Sequence, residues 1–573
     1  LGSHLLIPAT VSVSRGRRRN FRYSKIELGF RFVFQLFRAR MNVRTIYPGW
    51  GRAFVLLAIL AACFFSGNAT PQVLDNAGSP AAASSPAPGA APSDPAEKSV
   101  IKIFSTVRHP DPYKPWTKTT PSEISGSGVV IKGRRILTNA HVVLYASQVQ
   151  VQASDSGNLI SATVEAIAPG IDLAVLKLDD DSFFDTHPPL EWATDAPHVT
   201  DPVTIYGYPL GGDNLSITKG IISRVEFAAY NYPVGGLRVQ IDAAVNPGNS
   251  GGPALVNGKM MGIAFSRLGG TAENIGYIIP CEEIRLFLGK TAGGHEYSKP
   301  MMFDECEGLS TPAMRGYLNL DSSVQGVIVT KPAETNDDYP LKKWDLITQI
   351  GGTPVDDEGM VHLNDDLRVY FKYMIQKDAT NGAVPVTISR GGKEMKVNVP
   401  LASNLPMLMP FVNGGYPSYF VYGPIVFSKA TDAFVSGFSA TRAGIAMITL
   451  SALAGNPLIT RMGDQPAFEG EELVVVASPL FPDRLSRGYA NPFGEIVESI
   501  NGIHIKNLKH LVQVLRDSRD KYICVEFYGR NTQIMVFPRE EMVADTDSIL
   551  MDNDIRSQGS PDVMSVWNAV SSK

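Results

Sequence analysis

Asn246-Pro247-Gly248-Asn249-Ser250-Gly251-Gly252-Pro253-Ala254 is a run of small and turn-forming residues around a single hydroxyl. Alone, such a segment is a loop. Two upstream segments give it chemical weight. In Ile136-Leu137-Thr138-Asn139-Ala140-His141-Val142-Val143 a strand runs into a small-residue turn that presents His141. In Ile171-Asp172-Leu173-Ala174-Val175-Leu176 an acid stands at the mouth of an otherwise apolar strand. A serine needs a base to become nucleophilic at neutral pH, and histidine has the suitable pKa. The base needs a carboxylate that fixes its tautomer and stabilises its cation. Glycines around Ser250 let backbone N–H groups turn inward without a Cβ clash. The expected oxyanion hole is therefore Gly248 and Ser250, with Asn249 as a third donor.

Outward from these segments the chain divides into units. From Ser99 to about Gly289, short apolar segments such as Val129 to Ile131, Val149 to Val151, Leu173 to Leu178 and Val203 to Tyr206 alternate with turn residues. Many short strands at such spacing indicate an antiparallel barrel or sandwich. Glu282 to Leu288 is a helical candidate that closes this unit, taken as residues 99–290. A second unit, 305–403, mixes strands with a helix expected around Asn364 to Ile375. A third, 410–543, ends in a strand–helix–strand series over Gly494 to Ile500, Leu508 to Arg516 and Tyr522 to Phe527. The tail, 544–573, is polar without clear periodicity and is expected to be loosely ordered. Units two and three share a phrase, Trp344-Asp345-Leu346-Ile347-Thr348-Gln349-Ile350-Gly351-Gly352 against Gly494-Glu495-Ile496-Val497-Glu498-Ser499-Ile500-Asn501-Gly502. Two diverged copies of one small module would explain it.

Composition narrows the class. A chain of 573 residues suggests three to four domains, and 44% hydrophobic residues suffice for large cores. A net charge of -4, from 52 Lys+Arg and 56 Asp+Glu, offers no global field for nucleic acid. The four cysteines lie far apart and the nine histidines form no HxH or HxxxH pair, so no metal centre and no cofactor are expected. The first methionine is Met41, behind an Arg-rich stretch (residues 1–40) that reads as a leader or as a start-site artefact. Residues 41–69 have the layout of an export signal. Within it Leu60-Ala61-Ala62-Cys63 resembles a lipoprotein box, so Cys63 is a candidate lipid anchor or is discarded with the signal. Residues 70–98 are expected to form a disordered Ala/Pro-rich tether, whose stretch from Ala77 to Pro95 has no large apolar residue to bury.

Taken together, TNAHVV, DLAVLKL and NPGNSGGP resemble the HtrA/DegP family of trypsin-like serine proteases. The order His, Asp, Ser is also that of the chymotrypsin arrangement. The resemblance implies a mainly β chain, with a trypsin-like double β-barrel followed by two PDZ-like α+β domains. It implies His141, Asp172 and Ser250 as the triad of a serine endopeptidase acting on unfolded or damaged protein. The alternative is a PDZ-based chaperone or adaptor scaffold with secondary or lost proteolysis. The resemblance further implies a homo-oligomer, a trimer or a multiple of one. Gly316, Tyr317, Leu318, Asn319 and Leu320 look like a loop for peptide C-termini. Asn319 there, and Trp344 in the shared phrase, stand where the family usually has glycine. Ile263, Ala264 and Phe265, after the nucleophile, are the expected wall of a small apolar substrate pocket. His109 to Glu123 occupies the place of the family's regulatory loop and looks short. Pro417 to Phe420 and the phrase NGIHIKNLKHL are similar to plant-type Deg proteases. The export signal points to a bacterial periplasm or envelope; the plant-type likeness and Arg-rich leader leave an organelle of a eukaryote as the alternative.

Overall fold

The computed structural model describes residues 95–569, apart from short stretches at 154–155, 195–196, 210–211, 213, 231–233, 268–274, 364–366 and 440–441. The candidate leader, export signal and Cys63 lie outside the described residues, as does nearly all of the tether.

Six strands close the first barrel: β1 (Val100–Val107), β2 (Ser122–Ile131), β3 (Arg135–Thr138), β4 (Ala146–Ala153), β5 (Ile160–Ala168) and β6 (Leu173–Leu178), in the order β1-β2-β3-β6-β5-β4. Alternation drives it. In β4, Val149, Val151 and Ala153 point inward while Gln148, Gln150 and Gln152 face outward. A second barrel closes as β10-β11-β12-β9-β8-β7, from β7 (Pro202–Gly207), β8 (Ser216–Ala229), β9 (Gly235–Ile241), β10 (Pro253–Val256), β11 (Lys259–Arg267) and β12 (Gly276–Pro280). Between the barrels lies a shared core that includes Val129, Leu137, Tyr206, Ile263 and Ile279. Each such side chain contributes about 1.5–3 kcal/mol when fully buried.

The expected closing helix spans Cys281–Thr291. Its two acids tie the second barrel to the chain beyond it. Glu282 accepts from Tyr373 Oη (3.0 Å) and Gln376 Nε2 (2.9 Å) of the second unit. Glu283, fully buried, accepts from Leu237 N–H (2.8 Å) and from Lys299 Nζ (2.7 Å). One apolar cluster joins Leu237 and Val239 of the second barrel to Val327, Ile347 and Tyr373 of the second unit.

The second unit is built on strands Glu305–Gly308, Val327–Lys331, Leu346–Ile350, Ala383–Arg390 and Lys393–Pro400. The helix expected around Asn364 to Ile375 is absent among the described residues. A strand, Arg368–Tyr370, leads into a 3-10 turn, Phe371–Met374, and a short helix, Ile375–Asp378. Val369 and Phe371 are both fully buried two positions apart, a strand period carried by aromatic and β-branched residues.

The third unit has a three-stranded sheet (Tyr419–Tyr422, Ile425–Lys429, Val474–Val476) and a four-stranded one (Ile503–His504, Val497–Ile500, Tyr522–Phe527, Met535–Pro538). The shared phrase has the same backbone in both units. Trp344 N–H donates to Val329 O (2.8 Å) and Val329 N–H to Asp345 O (2.8 Å); Gly494 N–H donates to Val476 O (3.0 Å) and Val476 N–H to Glu495 O (2.9 Å). Each strand then turns through two residues of positive φ, Gly351-Gly352 or Asn501-Gly502, as a two-residue hairpin requires.

The tail corrects an expectation. Residues 544–573 are not loose over their described part: helices Arg539–Asp552 and Pro561–Trp567 pack on the third unit. Thr546 Oγ1 accepts from Gly423 N–H (2.9 Å), and the Trp567 ring lies 5.1 Å from that of Phe420. Met542, Thr546 and Ile549 are the buried positions of the first tail helix. A threonine in that i, i+4, i+7 stripe hides its period from a hydrophobicity reading.

Candidate active site

The first barrel delivers two of the three expected residues. His141 lies on the one-turn helix Ala140–Val143, which β2 approaches so closely that a Cβ on Gly126 would lie 2.7 Å from Val142 Cγ1. Asp172 follows a 3-10 turn (Pro169–Ile171) in the left-handed conformation, φ 56°, which aspartate tolerates better than most residues. Its carboxylate is committed at both oxygens. Oδ2 lies 2.7 Å from His141 Nδ1, and Oδ1 accepts from His141 backbone N–H at 2.9 Å. The aspartate side chain is 12% exposed, while the imidazole is about half exposed at 47%.

Ser250 comes from the turn before β10. Here glycine is mandatory: a Cβ on Gly251 would lie 2.1 Å from Ser127 O, and one on Gly252 2.0 Å from Tyr206 O. The turn is held by Ser127 N–H donating to Ser250 O (2.8 Å), Ser127 Oγ donating to Gly248 O (2.7 Å) and Gly251 N–H donating to Ala264 O (2.8 Å). Gly248 has φ 99°. The N–H groups of Gly248 and Ser250 have no acceptor among the described residues, as an anion-binding pair requires. Asn249 is different. Its N–H donates to Asn246 O (2.9 Å), and its side chain is buried, so it is not the third donor expected of it. No hydrogen bond joins Ser250 Oγ to His141 among the described residues; such bonds often tighten only with substrate bound.

The expected pocket wall is rearranged. Ile263 and Ala264 are both fully buried, Ile263 in the core between the barrels. Ala264 holds the serine turn through its backbone, its N–H donating to Gly252 O at 2.9 Å. Successive strand residues point to opposite faces, so three in a row cannot line one wall. Phe265 alone of the three is partly exposed, its ring 5.1 Å from Tyr230 and 6.2 Å from Tyr277.

The expected tail-binding loop is also differently built. Gly316 and Tyr317 end a helix, Pro312–Tyr317. Leu318 N–H donates to Met314 O (3.1 Å), Asn319 N–H to Gly316 O (3.3 Å) and Leu320 N–H to Arg315 O (2.9 Å). Asn319, at φ 53°, supplies the left-handed residue of a helix C-terminus. In this conformation those three amides are spent, and Leu318 and Leu320 pack inward against Leu309, Ile328 and Leu346. Tyr317 instead faces out and packs on Trp344 at 5.4 Å.

Two supporting residues escaped the sequence reading. Asn139, fully buried, donates from Nδ2 to Asp172 O at 2.9 Å and so pins the left-handed residue. Ser127 accepts from Tyr208 N–H (2.9 Å) while Thr138 Oγ1 donates to its carbonyl (2.7 Å). Asn139 carried a signal: a polar residue between an apolar strand and the histidine. Ser127, between two glycines in a strand, carried none. Among the described residues, no three His, Cys, Asp or Glu side chains converge on a cation site.

The family described as a trypsin-like peptidase domain matches residues 126–263, and the PDZ domain family matches residues 412–562. A curated relative, the putative protease Do-like 3, mitochondrial, of Arabidopsis thaliana, is 33% identical over 427 residues, 74% of this chain and 73% of that protein. The chain belongs to the HtrA/DegP family of serine proteases. Protease Do-like 2, chloroplastic, from the same plant is 31% identical over 470 residues, covering 81% of this chain and 75% of that one. Among solved structures, the HtrA-type protease AlgW with tripeptide shares 22% identity with a TM-score of 0.43, over 54% of this chain and 95% of that one. By its family this HtrA-type protease is a serine peptidase, with a PDZ domain behind two barrels.

Proposed function

We propose that this HtrA-type protease is an endopeptidase that cleaves unfolded or damaged protein through an acyl-enzyme on Ser250. The observation that carries it is the Asp172 carboxylate fixed by two bonds to His141. In that arrangement Nδ1 holds its proton toward Asp172, leaving Nε2 as the base. His141 takes the Ser250 proton as Oγ attacks the scissile carbonyl, then returns it to the leaving amine. Negative charge forms on the carbonyl oxygen, toward the N–H groups of Gly248 and Ser250. One such donor contributes about 2.7–4 kcal/mol to the transition state. Water then releases the acyl group by the same steps reversed.

Two thiols are poor rivals as nucleophile: burial pushes both Cys281 and Cys306 up to about 12. Phe265 is the proposed contact for an apolar P1 side chain. Peptide tails would enter the 316–320 loop only after its three internal bonds open. Assembly as a trimer or its multiple is part of the proposal, on family resemblance. The relatives' names place them in mitochondria or chloroplasts, and with the Arg-rich stretch Arg15 to Arg22 they support an organelle of a eukaryote as the compartment.

The test is degradation of fluorogenic casein by wild type and by Ser250→Ala. The variant should fold and assemble as wild type and cleave nothing. Cleavage by the variant at the wild-type rate would remove Ser250 as nucleophile, whereas wild type that cleaves no faster than a blank would favour the scaffold reading.

A further inference from the structure

Between β1 and β2, residues 108–119 form a closed loop whose tip leaves the protease barrel for the third unit. At its base Arg108 N–H donates to Tyr145 O (3.1 Å) and Thr119 N–H to His109 O (2.8 Å). Near the tip Asp111 Oδ1 accepts from Tyr113 N–H (2.9 Å) and Lys114 N–H (3.2 Å). Pro112 and Pro115 fix φ, which lowers the entropy lost on ordering the loop.

The tip presents two aromatics. Tyr113 sits among Phe434 (ring centroids 5.2 Å apart), Phe438 (5.6 Å) and Phe493 (5.4 Å), and its hydroxyl donates to Phe434 O at 3.1 Å. Space for that hydroxyl depends on residue 437 being glycine, since a Cβ there would lie 2.0 Å from Tyr113 Oη. Trp116 packs against Tyr419 (6.3 Å) and Phe481 (5.7 Å). A separate contact lies at the loop's base. Gly414 N–H of the third unit donates to Tyr145 Oη at 3.1 Å, and the Tyr145 ring meets Tyr416 (6.1 Å) and His109 (5.3 Å). Tyr145 lies two residues beyond Val143, the last residue of the helix that bears His141.

We propose that the third unit carries a binding site for a proline-flanked aromatic pair, that Tyr113 and Trp116 of the same chain occupy it, and that this anchor, with Tyr145, ties the seating of the third unit to the His141 helix. The docking stands on the contacts alone; its meaning for catalysis rests on the proposed role of His141. A side chain at 437 is the selective lesion, because it closes the site without touching the protease barrel.

Amide hydrogen exchange on the full-length chain reads both parts without using activity. Each ring contact is worth severalfold in an equilibrium, so losing several should raise exchange at least about tenfold. For Gly437→Ala that rise is expected at residues 111–118 and 140–146, with β2 unchanged. A rise confined to the third unit would overturn the proposal. Tyr113→Ala controls for damage to one domain alone. If both changes break one contact, the double variant exchanges at 111–118 no faster than the more perturbed single one. Multiplying effects would mean two unrelated lesions and would also overturn it. Since no peptidase assay enters, a wrong assignment of Ser250 leaves this outcome unaffected.

Discussion

Replacing Asp172 by asparagine tests the arrangement at its most constrained point. The carboxylate accepts twice, from His141 N–H at Oδ1 and from the ring at Oδ2. An asparagine can accept at only one of the two positions. If its oxygen faces the backbone N–H, its NH2 faces Nδ1, which must then be the unprotonated nitrogen. The proton moves to Nε2, and the ring no longer works as a base toward Ser250. If the amide flips, the correct tautomer survives but two donors meet at the His141 backbone in a mostly buried place. That clash costs about 1–3 kcal/mol, or roughly 5- to 150-fold in the competent population. The imidazolium also loses its counter-charge. The combined loss should approach about 10⁴-fold in kcat, the size seen when this substitution is made in the serine-protease template. Casein cleavage supplies the rate, with Ser250→Ala as the floor, and thermal unfolding should show the variant folded. A folded Asp172→Asn protein within about threefold of wild-type kcat/KM would refute this account of the site.

Three further outcomes concern other places in the fold. Lys299→Met strands the Glu283 carboxylate, whose side chain is fully buried, so stability should fall by about 3–5 kcal/mol in urea unfolding, and a change below about 1 kcal/mol would contradict the pairing. Burial raises the Asp304 carboxyl above the usual carboxylate range despite bonds from Ala333 N–H and Tyr339 Oη and the nearby Lys372 ammonium. Because the folded state then holds its proton more tightly than the unfolded one, its contribution is full at low pH and is lost as pH rises through the raised value; Asp304→Asn should flatten that part of the stability–pH curve. Asn139→Ala should lower kcat more than it raises KM, and a pure KM effect would argue that Asn139 does not position Asp172.

The barrels were legible because their strands alternate cleanly and are punctuated by glycine and proline, as β4 illustrates. The proposed triad could be picked out as a candidate because three short segments carry residue types that make chemical sense only together. What failed to show was side-chain direction. Ile263, Ala264 and Phe265 are consecutive, and only a register tells which faces a pocket and which the core. Leu318 and Leu320 lie in a stretch that looks like a loop for peptide C-termini; the sheet beneath them supplies a core that sequence does not display. The tail helix was hidden by Thr546, a polar residue buried through a hydrogen bond rather than through hydrophobicity. The docking of Tyr113 is a contact over more than three hundred residues, which no local pattern encodes.

Trp344 shows how the internal repeat converts a departure from pattern into a measurable quantity. In the third unit its counterpart is Gly494, at φ 83°; Trp344 holds nearly the same conformation, φ 77°, and makes the same pair of backbone bonds. A residue with a Cβ is strained there by about 1–2 kcal/mol. The tryptophan offsets this by packing on Tyr317, a contact worth roughly 0.5–1.5 kcal/mol beyond its buried area. Alanine would keep the strain and lose the ring. Glycine would lose the ring and relieve the strain. Elsewhere glycine destabilises a strand end relative to alanine by about 0.5–1 kcal/mol through chain entropy. At 344 the order should invert, with Trp344→Gly more stable than Trp344→Ala by roughly 1 kcal/mol in urea unfolding. If alanine proves the more stable, the left-handed backbone is not retained at this position, and the correspondence between the two copies fails at the residue where they differ most.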